Sequence, residues 1–74
     1  MMQRRLAGKR CRAVRFINTP NGPVRRDDHG TIRHEMDNLG RHMLFVTWHN
    51  GLEGYVFPRE IELLTETEGG RIAA

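Results

Sequence analysis

The stretch VTWHNGLEGYVFPREIELL, residues 46–64, packs strand, turn, strand, corner and strand signals into one short segment. Val46-Thr47-Trp48 and Tyr55-Val56-Phe57 are β-branched and aromatic, as pleated half-buried surfaces require. Asn50-Gly51 between them is the strongest short hairpin signal and favours a type I′ turn. Pro58 presets φ and lacks an N–H, so Pro58-Arg59-Glu60 is predicted to form a single 3₁₀ turn. Ile61-Glu62-Leu63-Leu64 then reads as a short closing strand. A two-residue turn pairs Val46 with Tyr55 and Leu44 with Phe57. One face then holds Leu44, Val46, Trp48, Tyr55 and Phe57, and the other Met43, Phe45, Leu52 and Val56. A bulge that shifts the register by one lets Val46 face Val56 and groups Phe45, Tyr55 and Phe57 on the second face. Both faces are apolar in either register, whereas a half-buried strand alternates with polar residues. The surplus implies either a bent barrel corner that buries both faces or an exposed interaction patch.

Working outward, residues 10–17 (RCRAVRFI) mix β-branched, aromatic and arginine residues and predict a first strand. Residues 18–29 are dense in Pro, Gly and Asn and read as a long loop, a frequent place for function. TIRHEM (31–36) predicts a second strand. DNLG (37–40) predicts a turn in which Asn38 or Gly40 takes positive φ. HMLFVTW (42–48) and LEGYVF (52–57) are the third and fourth strands, and IELL is the fifth. Short strands at about ten-residue spacing, with no amphipathic helical period, predict an all-β fold. The expected architecture is a small five-stranded barrel over residues 8–64. A basic arm (1–7) precedes it, and a polar, disordered tail (65–74) follows. IELL is expected to return beside the first strand and close the sheet, leaving no exposed edge.

The 74 residues suffice for one domain. The net charge of +3 is unevenly spread. Residues 1–26 carry Arg4, Arg5, Lys9, Arg10, Arg12, Arg15, Arg25 and Arg26 with no acid, and residues 27–74 carry four arginines against nine acids. Such a split implies a basic face and an acidic one. No apolar run approaches the roughly 20 residues of a membrane-spanning helix. The N-terminus has charge without an apolar signal core, so the expected compartment is the cytoplasm.

Little in the chain predicts catalysis. It contains no serine. Cys11 lies between Arg10 and Arg12, which would lower a thiol pKa, but no base is placed beside it, and it reads as a small core residue. His29, His34, His42 and His49 lack the close spacing of zinc ligands, although His34 and His42 flank one turn and can face each other. Asp27-Asp28 reads as a cap on the turn before Gly30 rather than a calcium loop. No catalytic residue, metal or cofactor is therefore predicted. The candidate binding residues are Arg4, Arg5, Arg10 and Arg12 in the basic half, Arg15, Arg25 and Arg26 around the long loop, and Phe45, Trp48, Tyr55 and Phe57 in the hairpin. Val46, Trp48, Tyr55 and Phe57 are expected to form the barrel wall.

The order GKRCRAVRFI, a Pro/Gly-rich loop, HGTI, LFVTWHNG and VFPREIELL resembles the small SH3-like barrels of bacteria. A small accessory chain of photosystem I and the variable chain of ferredoxin–thioredoxin reductase are examples. The likeness spans residues 8–64 and rests on a glycine-led first strand, a Gly-Thr-Ile second strand, a third strand ending in an aromatic and a terminal Glu-Ile/Leu strand. It implies a non-enzymatic accessory subunit or docking module, with a larger protein or a second copy as partner. A nucleic-acid-binding protein using the arginine-rich half is the alternative.

Overall fold

A computed structural model describes residues 6–64; the expectations for residues 1–5 and 65–74 lie outside the described residues. The strands are β1 (Arg10–Ala13), β2 (Ile17–Thr19), β3 (Gly22–Val24), β4 (His29–Asn38), β5 (Arg41–Trp48), β6 (Glu53–Val56) and β7 (Ile61–Leu63). A 3₁₀ turn, Pro58–Glu60, links β6 to β7 as the sequence predicts, and the described residues hold no α-helix. No helix of the described residues is long and apolar enough to cross a membrane.

The all-β expectation is met. The five-stranded sheet runs β6-β5-β4-β1-β7, and β2 and β3 form a separate hairpin. β7 returns antiparallel beside β1, with Arg12 opposite Glu62. The ladder does not close: β6 and β7 remain its two edges. Closure was expected to remove those edges. Here they are kept short, at four and three residues, which limits unwanted pairing.

The long loop predicted over 18–29 is largely a hairpin. Ile17 pairs with Val24 and Thr19 with Gly22 around Pro20-Asn21. Thr19 Oγ1 accepts from the Asn21 N–H at 3.2 Å and donates to the Gly22 carbonyl at 2.6 Å, so one side chain locks the turn. Pro23 is tolerated because its strand has only one neighbour and spare N–H positions. Ile17 and Val24 turn inward and join the core with Cys11, Ala13, Ile32, Leu44, Val46, Trp48 and Val56. The hairpin thus covers the inner face of the sheet. Leu6 also packs on this core, and its N–H donates to Glu35 Oε2 at 3.0 Å, so the expected free arm is anchored by its sixth residue.

The hairpin at Asn50-Gly51 takes neither expected pairing, since Val46 meets neither Tyr55 nor Val56, although its faces group as in the shifted register. Leu44 lies opposite Val56, Phe45 opposite Tyr55 and Val46 opposite Gly54. The Trp48 N–H donates to the Leu52 carbonyl, and the Gly51 N–H to the Trp48 carbonyl. The loop is therefore three residues long. Gly51 takes φ +92° while Asn50 does not enter the left-handed region, which excludes the expected type I′ turn. A turn followed by one left-handed residue that forms a bulge is the common three-residue solution. A second offset lies in β4, where Ile32 pairs with Val46 but His34 with Phe45, so Arg33 is extruded. These offsets decide the faces. Leu44, Val46, Trp48 and Val56 are buried, whereas Phe45 and Tyr55 turn to the outer face and Phe57 follows them by alternation. Tyr55 and Phe57 are therefore not part of the inner wall.

Candidate functional site: an aromatic outer face

Register brings three rings from three strands into one row. His34 stacks on Phe45 with centroids 5.0 Å apart and planes 16° apart. Phe45 meets Tyr55 at 4.9 Å, and His34 meets Tyr55 edge-on at 5.9 Å. His34 Nε2 lies 3.2 Å from the Tyr55 hydroxyl, which ties the outer members together. Met36 lies opposite Met43 in the next row, and both share this outer face with Phe57. Met36 and Tyr55 are exposed, and Phe45, Met43 and Phe57 half-buried. The Arg59 guanidinium sits 4.9 Å from the Phe57 ring centroid, a cation–π contact that leaves its donors outward. Toward β1 the same face turns polar, with Arg10, Thr31, Thr47 and Glu53 in register.

The apolar rows lead to the β4–β5 turn. Asn38 pairs with Arg41, leaving Leu39 and Gly40 as the loop. Their φ values are +52° and +83°, the pattern of a type I′ turn. Of the two residues offered for positive φ, Gly40 takes it and Asn38 ends β4. Leu39 is 94% exposed. A bulky side chain therefore stands in solvent on a backbone conformation that favours Gly or Asn.

No protein-family model, curated protein or solved structure matches this chain.

The remaining sequence candidates scatter. Trp48 is core, at 2% exposure. Arg12 pairs with Asp27 and Glu62, so it is engaged within the chain. Arg10 lies at the polar end of the outer face, and Arg15, Arg25 and Arg26 lie exposed near the β2–β3 hairpin. Arg4 and Arg5 fall outside the described residues. Sequence reasoning missed His34, Met36 and Leu39, because an extruded Arg33 and a left-handed Leu39 leave no periodic signal. Cys11 is fully buried, and desolvation pushes its thiol up to about 11 against the weaker opposing effects of the Gly30 backbone and Arg10. The expected lowering by flanking arginines is thus reversed, and the thiol stays protonated at neutral pH. His34 and His42 do not meet: His34 joins the aromatic row, while His42 Nδ1 lies 2.9 Å from Asp37 Oδ1 and its Nε2 3.0 Å from Glu35 Oε1. Among the described residues no group of three His, Cys, Asp or Glu is placed to hold a metal ion. Asp28 does brace the turn before Gly30: its Oδ2 accepts from the Arg25 N–H at 2.9 Å.

These contacts set a pH dependence. The hydrogen bond to Asp37, aided by the charges of Asp37 and Glu35, raises the His42 pKa. Its contribution to stability is complete below the ordinary imidazole pKa and is lost as pH rises through the raised folded value. The Arg25 N–H, with His49, holds the Asp28 carboxyl below its ordinary value. That contribution is present above the ordinary carboxylate pKa and is lost as pH falls through the depressed one. The melting temperature is expected to plateau between those limits and decline on both sides. In His42→Asn the alkaline decline should flatten, while the acid decline stays. Calorimetry across pH 3 to 9 (about the accessible range) reads both arms.

Proposed function

We propose that this chain is a non-enzymatic binding module, built as an SH3-like barrel resembling small accessory subunits, that docks on a larger protein through its outer face. Leu39 carries the reading. Holding a leucine in the left-handed region costs about 1–2 kcal/mol, and at 94% exposure it returns no burial within the chain. Strain of this kind concentrates where a partner uses it. Leu39 leads into Met36, Met43, Phe45, Tyr55 and Phe57, a contiguous apolar surface of the kind that marks interaction sites. The Met and aromatic content matches the residues enriched at protein interfaces. Nucleic acid suits this face less well. Base stacking needs free ring faces, whereas His34 and Phe45 cover one another.

Leu39→Asn separates folding from binding. Asn tolerates the left-handed conformation, so the variant is expected to be more stable by about 1 kcal/mol. That corresponds to a rise of about 4–8 °C in melting temperature for a domain of this size. The same variant should capture less partner from nuclease-treated extract of the native host. Phe45→Thr should also reduce capture, and it should lose about 0.5–1.5 kcal/mol from its ring contacts rather than the larger cost of a core truncation. Sedimentation of the purified chain tests for a second copy as the partner. Undiminished capture by a stabilised Leu39→Asn variant would remove the proposal.

A further inference from the structure

A second surface lies away from the aromatic row, where β1 leads into β2 and β3 leads into β4. Two pairings bracket it. Ile17 sits opposite Val24 at the base of the hairpin. Beyond that, the Asp27 N–H donates to the Ala13 carbonyl at 2.8 Å and the Ala13 N–H to the Asp28 carbonyl at 2.9 Å. Residues 14–16 and 25–26 are therefore held side by side. Phe16 is 58% exposed here, the most exposed aromatic among the described residues, and it packs against no other ring among them. Around it in the chain stand Arg15, Arg25 and Arg26, all exposed.

The nearby carboxylates are already committed. Asp27 and Glu62 bind Arg12. Asp28 accepts from the Arg25 N–H and lies 3.2 Å from His49 Nε2. Glu60 accepts from the Phe57 N–H. The guanidinium groups of Arg15, Arg25 and Arg26 have no ion pair among the described residues, so their donors stand open beside the exposed Phe16 ring, while the four carboxylates of this end balance the formal charge of Arg12, Arg15, Arg25 and Arg26. From this we infer that residues 14–16 and 25–26 form a binding site for single-stranded nucleic acid. One base stacks on Phe16, and the phosphates on either side are held by Arg15, Arg25 and Arg26. Guanidinium groups bind phosphate oxygens in pairs, and a free ring face accepts any base, so the site reads strand character rather than sequence. An acidic peptide such as polyglutamate would satisfy the guanidinium groups but brings no ring to stack on Phe16.

The test uses the full chain and fluorescently labelled oligo(dT) and oligo(U) of about a dozen nucleotides, followed by anisotropy. Binding is expected at low salt, with affinity falling steeply as salt rises. Phe16→Ala should weaken it by about five- to 150-fold, and Phe16→Tyr should restore it. Arg25→Gln with Arg26→Gln should lower the log–log salt slope by about 1.4, since each phosphate on a single strand contributes about 0.7. Phe45→Thr should leave binding unchanged, which keeps this site separate from the docking face. Circular dichroism and thermal melts check that each variant remains folded, and Phe16 is exposed enough for that to be expected. The inference is overturned if neither oligonucleotide binds at low salt, or if Phe16→Ala binds as the wild type does. It is overturned equally if polyglutamate competes as well as oligo(dT), or if deletion of residues 1–5 alone removes the affinity.

Discussion

Trp48→Ala is expected to remove most of this protein's folding stability. Trp48 is the largest fully buried side chain, at 2% exposure, and it packs in one cluster with residues of both layers. Truncating a buried aromatic costs about 3–5 kcal/mol. A chain of this length has about 4–11 kcal/mol of total stability, so one substitution removes much or all of it. Trp48→Phe should behave differently. Among the described residues the indole Nε1 is buried without a hydrogen-bond partner. An unpaired buried N–H costs about 1–3 kcal/mol. Phenylalanine removes that cost while losing part of the ring volume, and the two effects are expected to cancel to within about 1 kcal/mol. Urea titrations of the two variants give the comparison directly. A loss in Trp48→Phe well above about 1 kcal/mol would show that the indole N–H is satisfied in solution.

The second large effect is expected at Gly30. Gly30 lies between Cys11 and Trp48 in the sheet, on the inward face. A Cβ there would meet Val46 Cγ1 at 2.7 Å, Trp48 Cε3 at 2.9 Å and the Thr47 carbonyl oxygen at 3.0 Å. Two of these atoms belong to packed core side chains and the third to backbone, so none can retreat cheaply. Overpacking of this kind costs about 1–3 kcal/mol, and contact with backbone places Gly30→Ala at the upper end. A loss of about 3 kcal/mol lowers the melting temperature by about 12–24 °C. Gly30→Ala combined with Trp48→Phe should recover part of the loss, because a smaller ring vacates one of the three contacts. Strict additivity in that double mutant would mean that the strain lies against Val46 and Thr47 alone.

Residues with a strong local signal were legible in the sequence. Pro58 announced the 3₁₀ turn, and the apolar density of Leu44–Trp48 announced the central strand. The pairing of β7 with β1 followed from the corner that Pro58 makes. Three features were not legible, for separate reasons. The β2–β3 hairpin carries three-residue strands, too few for a period to emerge, and its Pro20-Asn21-Gly22 turn looks like loop. The faces of the 43–57 hairpin depended on whether Gly51 or Asn50-Gly51 together took positive φ, a choice that moves the register by one residue and so reverses the orientation of Tyr55. Leu39 defied its own preference, since nothing in its type favours a left-handed turn. The aromatic row was therefore half visible: Phe45 and Tyr55 were singled out, but their joint outward placement with His34 needed both register offsets. Of the basic residues, Arg12 proved committed to Asp27 and Glu62, a long-range pairing that no sequence spacing reveals.

The edge strand β6 has most of its outward backbone groups occupied. Because Trp48 and Leu52 are hydrogen-bonded to each other, the backbone groups of Glu53, Tyr55 and Phe57 point away from β5. Asn21 Nδ2 donates to the Glu53 carbonyl at 3.1 Å, and the Glu60 carboxylate and N–H take up both groups of Phe57. Tyr55 alone is left with both of its groups open there, too short a window to template an added strand. Along β6 the sheet therefore offers a newcomer no ladder to extend, and what it presents there is the side chains of its outer face. On the proposed docking reading, this edge would not seed a growing fibre even though the sheet face beside it is apolar.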